Sequence, residues 1–165
     1  MTKDYGWHRK TRREIIETVK DYDEIYFSHE NEDDIKFFRR IDNNDIHLAE
    51  PDVLLKKDNH VLIIEIELSN SPKHLMGVAF AVHASNKCKY QGQHIDIKQK
   101  SLLLVLCSEN VFKKGSGKPK QIQEIKSLIK NLLPFEYLNI VTEKKAVNLI
   151  QSWITGKVTK GDICD

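Results

Sequence analysis

Two apolar runs, Pro51–Lys57 and His60–Leu68, flank the polar pair Asp58-Asn59 and give the clearest pattern in the chain. Both are dense in Val, Leu and Ile, residues that suit a pleated, half-buried surface, so the pattern predicts a β-hairpin. Asn70 or Ser71 then caps a helix with Pro72 in its first turn and Leu75, Met76, Val78, Ala79, Phe80 and Val82 along its length, to about residue 86. Ser101–Cys107 and Tyr137–Val141 read as buried strands. Between them, Ile122, Ile125, Leu128, Ile129 and Leu132 recur at helical spacing, and Thr142-Glu143 opens a last helix through Val147, Leu149, Ile150 and Trp153.

The first third is less regular. Thr11-x-x-Glu14 before Ile15, Ile16 and Val19 predicts a capping box opening a helix over residues 11–22, and Glu24–Ser28 a short strand. Residues 30–41 begin acidic and end on Arg39 and Arg40, with Ile35, Phe38 and Ile41 at helical spacing, which favours a helix; Ile35, Phe37 and Arg39 would also alternate on a strand. The elements add up to one mixed α/β domain spanning residues 1–165 around a central sheet.

Within the second hairpin strand, Glu65 and Glu67 interrupt an apolar run. Period-2 geometry puts them on one face, roughly 6–7 Å apart at Cα, with Leu62, Ile64, Ile66 and Leu68 on the other. A two-residue loop at Asp58-Asn59 pairs Lys57 with His60, Leu55 with Leu62, Asp52 with Glu65 and Glu50 with Glu67. Four carboxylates then crowd one end of one face, where opposed like charges are destabilising. A hard divalent cation such as Mg²⁺ would offset that repulsion.

Pro51-Asp52, twelve intervening residues, then Glu65-Ile66-Glu67 on an apolar strand followed by a helix resembles the PD-(D/E)XK nuclease superfamily. The resemblance implies a restriction-endonuclease-like core with a central mixed sheet flanked by helices. It also implies Mg²⁺-dependent hydrolysis of DNA phosphodiester bonds, with Mn²⁺ as a substitute. Asp52 and Glu65 take the roles of metal ligands, and Glu14 or Glu17 stands in the element where some members carry an assisting Glu. Glu67 occupies the position that is normally Lys, as in a Glu-x-Glu minority of restriction endonucleases. Either Lys73, at the start of the next helix, returns the missing ammonium, or Glu67 itself binds metal or accepts a proton. A small nuclease of this kind would act on DNA as a homodimer, one site per strand. The alternative is a member of the fold that binds nucleic acid or protein without cutting.

Charge sharpens this picture. The net charge is +2, but residues 21–52 carry eleven Asp or Glu against three Lys or Arg, while residues 98–130 carry eight Lys against two Glu. Arg9, Arg12 and Arg13, in the run His8–Arg13, and Lys113, Lys114 and Lys118, around Gly115 and Gly117, are the candidate phosphate contacts. His74 and His83 on the second helix read as packing or hydrogen-bonding residues, and the stripe Lys73, Gly77, Ala81 and Ser85 as a surface for close helix–sheet packing. No apolar run approaches the ~20 residues of a membrane span, and the first residues lack the pattern of a secretory signal, so an intracellular location, cytoplasm or nucleoid, is expected. Cys88, Cys107 and Cys164 are too widely separated for a zinc motif.

Overall fold

The structure, a computed structural model, describes residues 3–28, 35–112, 115 and 117–157. Helix α1 (Lys3–Val19) is followed by strands β1 (Ile25–Phe27), β2 (Lys36–Ile41), β3 (Asn44–Ala49), β4 (Val53–Lys57) and β5 (His60–Glu67). Helix α2 (Pro72–Ala84), strands β6 (Lys87–Tyr90), β7 (Gln93–Ile95) and β8 (Gln99–Leu106), and the short helix α3 (Ser108–Val111) come next. Helix α4 (Lys118–Leu132), strand β9 (Tyr137–Thr142) and helix α5 (Glu143–Ile154) close the described chain. Among the described residues no helix is long and apolar enough to cross a membrane.

Two sheets form. The larger is mixed, in the order β1-β4-β5-β8-β9; β1, β4 and β5 are antiparallel neighbours, and β8 and β9 run parallel to β5. The expected hairpin register is present: Lys57 pairs with His60 and Leu55 with Leu62, and the ladder ends at Val53 and Ile64. Asp58 turns the hairpin in left-handed conformation (φ 54°), which a short polar side chain tolerates. The smaller sheet is antiparallel, in the order β3-β2-β6-β7.

Strand parity assigns each side chain its layer. Leu55, Leu62, Ile64, Leu103 and Val105 meet Ile15 and Val19 of α1 and Ala146 and Ile150 of α5. On the opposite face Leu54, Ile63, Leu102 and Leu138 form a row across the sheet and pack under Leu75, Ala79 and Val82 of α2 and Ile122, Ile125 and Ile129 of α4. The smaller sheet adds Phe37, Cys88 and Ile95 to that second layer.

Two expectations are corrected. Lys36–Ile41 is a strand, and residues 30–34 of the expected helix lie outside the described ones. Phe37 is fully buried while Lys36 and Arg40 are exposed, and pairing with β3 and β6 supplies backbone hydrogen bonds that override the local helical signal. Helix α1 starts at Lys3, so Thr11 is a buried mid-helix residue rather than a cap, and the box with Glu14 does not form. Strands β3, β6 and β7 and helix α3 are additions to the predicted elements.

Candidate functional site

The carboxylates gather where β4, β5, α1 and the start of α2 converge. Ser28, at the end of β1, fixes the chain entering β4: its N–H donates to Asp52 O (3.0 Å) and its hydroxyl to Pro51 O (2.8 Å). Past the end of the β4–β5 ladder, the Ile66 N–H donates to Asp52 Oδ2 (2.9 Å), so this side chain satisfies a strand donor. Asp52 Oδ1 lies 3.2 Å from His8 Nε2 of α1.

Glu65 is buried and sits in line with Leu104 of β8 and Ile140 of β9. Burial pushes its carboxyl well above the usual carboxylate range, and the nearby charges of Asp52 and Glu67 push it further, against one hydrogen bond from the Asp52 backbone. Glu67, at the strand end, is also raised by burial, while an ion pair with His74 opposes the shift. His74 Nε2 stands 2.5 Å from Glu67 Oε2, and Ser71 Oγ caps α2 by accepting the His74 N–H (3.3 Å).

Glu65 and Glu67 open on a groove of about 630 Å³ lined also by Leu48, Ala49, Glu50, Ser69, Ser71, Lys73, His74, Gly77, Val78 and Ala81. Glu50 is exposed and lies 3.4 Å from His47. Of the stripe Lys73, Gly77, Ala81 and Ser85, the first three line this groove instead of packing on the sheet, and a Cβ at Gly77 would meet nothing within 4 Å; Ser85 alone is buried. His74 and His83 are hydrogen-bonding and packing residues as expected, the latter edge-on to Phe135 at 5.5 Å.

The remaining candidates disperse. Arg9, Arg12 and Arg13 line a recess of about 190 Å³ with Phe27 and Ser28, on the α1 side. Lys118 begins α4 and donates to Gln121 Oε1 (3.2 Å), and Lys113 and Lys114 lie outside the described residues. Glu14 and Glu17 are exposed on α1, paired with Lys10 at 3.8 Å and Lys20 at 2.5 Å. His8 is the site residue that its sequence context hid, since it leads a basic run. Its signal is positional: α1 runs past the hairpin only because the helix starts eight residues before Thr11.

A second cavity, about 600 Å³, lies between α3, α4, α5 and β9 and has no Asp, Glu or His in its lining. Carboxylates and a histidine are instead in the lining of the groove at β5. Asp52, Glu65 and Glu67 supply oxygen donors of the kind that hard divalent cations prefer. Their present rotamers turn Asp52 toward His8 and Glu67 toward His74, and among the described residues no group of three or more His, Cys, Asp or Glu is gathered around one point suited to a metal ion. In comparisons with protein-family models, curated proteins and solved structures, no match to this chain was found.

Proposed function

We propose that the chain is a Mg²⁺-dependent endodeoxyribonuclease with a restriction-endonuclease-like core. The observation that carries this reading is Glu65, a carboxylate buried at the head of an open groove and within the field of two others. Burying one carboxylate beside two more is costly unless a proton or a cation neutralises it. A divalent ion held by Asp52 and Glu65, with Glu67 beside them, would supply charge neutralisation and an acidified water.

The chain's own residues complete the site. His8 and the Ile66 N–H orient the Asp52 carboxylate. His74 holds Glu67 at the groove, where the pair can take a proton from an attacking water. Lys73, exposed on the first turn of α2 and lining the same groove, brings a positive charge for the phosphate. The missing motif Lys is thus compensated from the helix.

The engagement of Asp52 and Glu67 by histidines favours a second reading, a nucleic-acid-binding member of the fold that does not cut. Incubating plasmid and branched DNA with the protein and Mg²⁺ or Mn²⁺ separates the two. Cleavage by the wild type that falls at least ~100-fold in Asp52→Asn and Glu65→Gln supports the nuclease, on the scale of losing a group that acts on the transition state. Binding without cleavage under both metals supports the binder.

A further inference from the structure

The smaller sheet has two unlike faces. Its inner face carries Phe37, Cys88 and Ile95 into the core. Alternation then turns Lys36, Phe38 and Arg40 of β2, Asp45 and His47 of β3, Lys87 and Lys89 of β6 and His94 of β7 outward. The register sets these side by side: Phe38 lies between His47 and Lys87, Arg40 faces Asp45, Lys36 faces Lys89, and Lys89 faces His94.

Folding alone does not account for this arrangement. Lys36 and Lys89 are like charges directly opposed on neighbouring strands, a destabilising pairing. Three cations converge on one carboxylate: Lys87 Nζ at 3.2 Å, Arg40 Nε at 3.5 Å and Lys89 Nζ at 3.8 Å all reach Asp45. Asp45, and Glu50 against His47, are two negative charges among four cations, which leaves a surplus that an external anion would meet. In the middle of the patch stands an aromatic ring, Phe38, with the His47 ring 5.4 Å away and Lys89 Nζ 5.4 Å from its centroid. A polyanion alone would call for the cations; a ring among them calls for a ligand that also has flat faces.

We propose that this outward sheet face binds a single strand of nucleic acid, with a base stacked on Phe38 and phosphates held by Lys36, Arg40, Lys87 and Lys89. An open sheet that sets cations around a half-buried aromatic ring suits unpaired bases, because bases inside a duplex have no free face to offer. The two sites are adjacent at the sheet edge: β3 carries Asp45 and His47 on this face, a bulge follows, and Leu48 and Ala49 at its end, with Glu50 just after it, line the carboxylate groove. The inference deepens the nuclease reading by naming the strand delivered to the groove, yet the binding itself needs no divalent ion.

Fluorescence anisotropy with a labelled 20-nucleotide single strand and the matching duplex, in EDTA, tests it on the full chain. The single strand is expected to bind more tightly than the duplex and to weaken steeply between 50 and 200 mM salt, since Lys and Arg contacts release counterions. Phe38→Ala should weaken single-strand binding on the order of tenfold, as for loss of one stacked base. Lys87→Glu with Lys89→Glu should abolish it, and Asp45→Asn should strengthen it by freeing three cations. Lys36→Gln with Lys89→Gln, which removes an opposed pair, serves if the charge reversal impairs folding. Equal binding by Phe38→Ala and wild type, a preference for the duplex, or capture of polyglutamate in place of the oligonucleotide would overturn the proposal. Plasmid cleavage by a wild type that does not bind the single strand would overturn this proposal and leave the nuclease standing; the expected single-strand binding by a wild type that cuts no DNA would do the reverse.

Discussion

Glu67 at the end of β5 and His74 in the first turn of α2 are joined at 2.5 Å, Oε2 to Nε2, across the four-residue connection 68–71. The contact ties the last strand residue to the helix that follows it, and it keeps a half-buried carboxylate partnered at the lip of the groove. His74→Ala should remove the main interaction that opposes burial at Glu67, leaving only the weaker influence of His8, and raise its pKa further. Carboxylate titration followed by NMR checks the direction, and the stability cost should be about 1 kcal/mol for a partly exposed charged pair.

The buried Glu65 makes stability depend on pH. Its folded pKa lies above the ordinary 4.5, so the native state holds a proton that the unfolded chain gives up. Stability is full below about 4.5 and falls as pH rises from there toward the raised folded value. Glu65→Gln should remove that fall and be the more stable protein at pH 8, as read by urea denaturation at pH 5 and 8. Mg²⁺ should raise the midpoint of the wild type at pH 8 and leave that of Glu65→Gln nearly unchanged.

Asp52 has a structural duty besides any chemical one. Asp52→Asn keeps an oxygen for the Ile66 N–H and should cost less than about 1 kcal/mol, whereas Asp52→Ala orphans that donor and should cost about 1–3 kcal/mol. Thermal melts of the two variants distinguish the roles; Asn is the variant to use in cleavage assays.

Lys100 reaches from β8 to the C-terminal end of α2, where Nζ donates to the carbonyls of Val82 (2.9 Å), His83 (2.5 Å) and Ser85 (2.6 Å). Those carbonyls are among the acceptors that a helix end leaves without partners. Lys100→Met should destabilise by about 1–3 kcal/mol and raise amide exchange in residues 82–86, measured by hydrogen exchange.

Neighbouring aromatics on β2 should respond oppositely. Phe37 is fully buried, so Phe37→Ala should cost about 3–5 kcal/mol in a denaturant titration, while Phe38→Ala on the outward face should cost far less.

The hairpin, α2, β8, α4, β9 and α5 follow from the chain's own periodicity, because each buries a face or stripe whose spacing is written locally. So does the shared face of Glu65 and Glu67, since alternation along a strand needs no knowledge of the rest of the molecule. Lys36–Ile41 shows the limit: its spacing fits a helix and its alternation fits a strand, and pairing with β3 and β6, distant in sequence, decides between them. The same holds at the groove. Sequence put Asp52 and Glu65 at opposed positions, but it could not say that α1 would extend back to Lys3 and lay His8 against Asp52, nor that the small-residue stripe of α2 would face a groove. Nor could it form the basic face around Phe38, whose members come from four strands and are neighbours only because backbone hydrogen bonds set the register between them. Local periodicity determined the elements and the carboxylate strand; long-range pairing and packing decided which charges met.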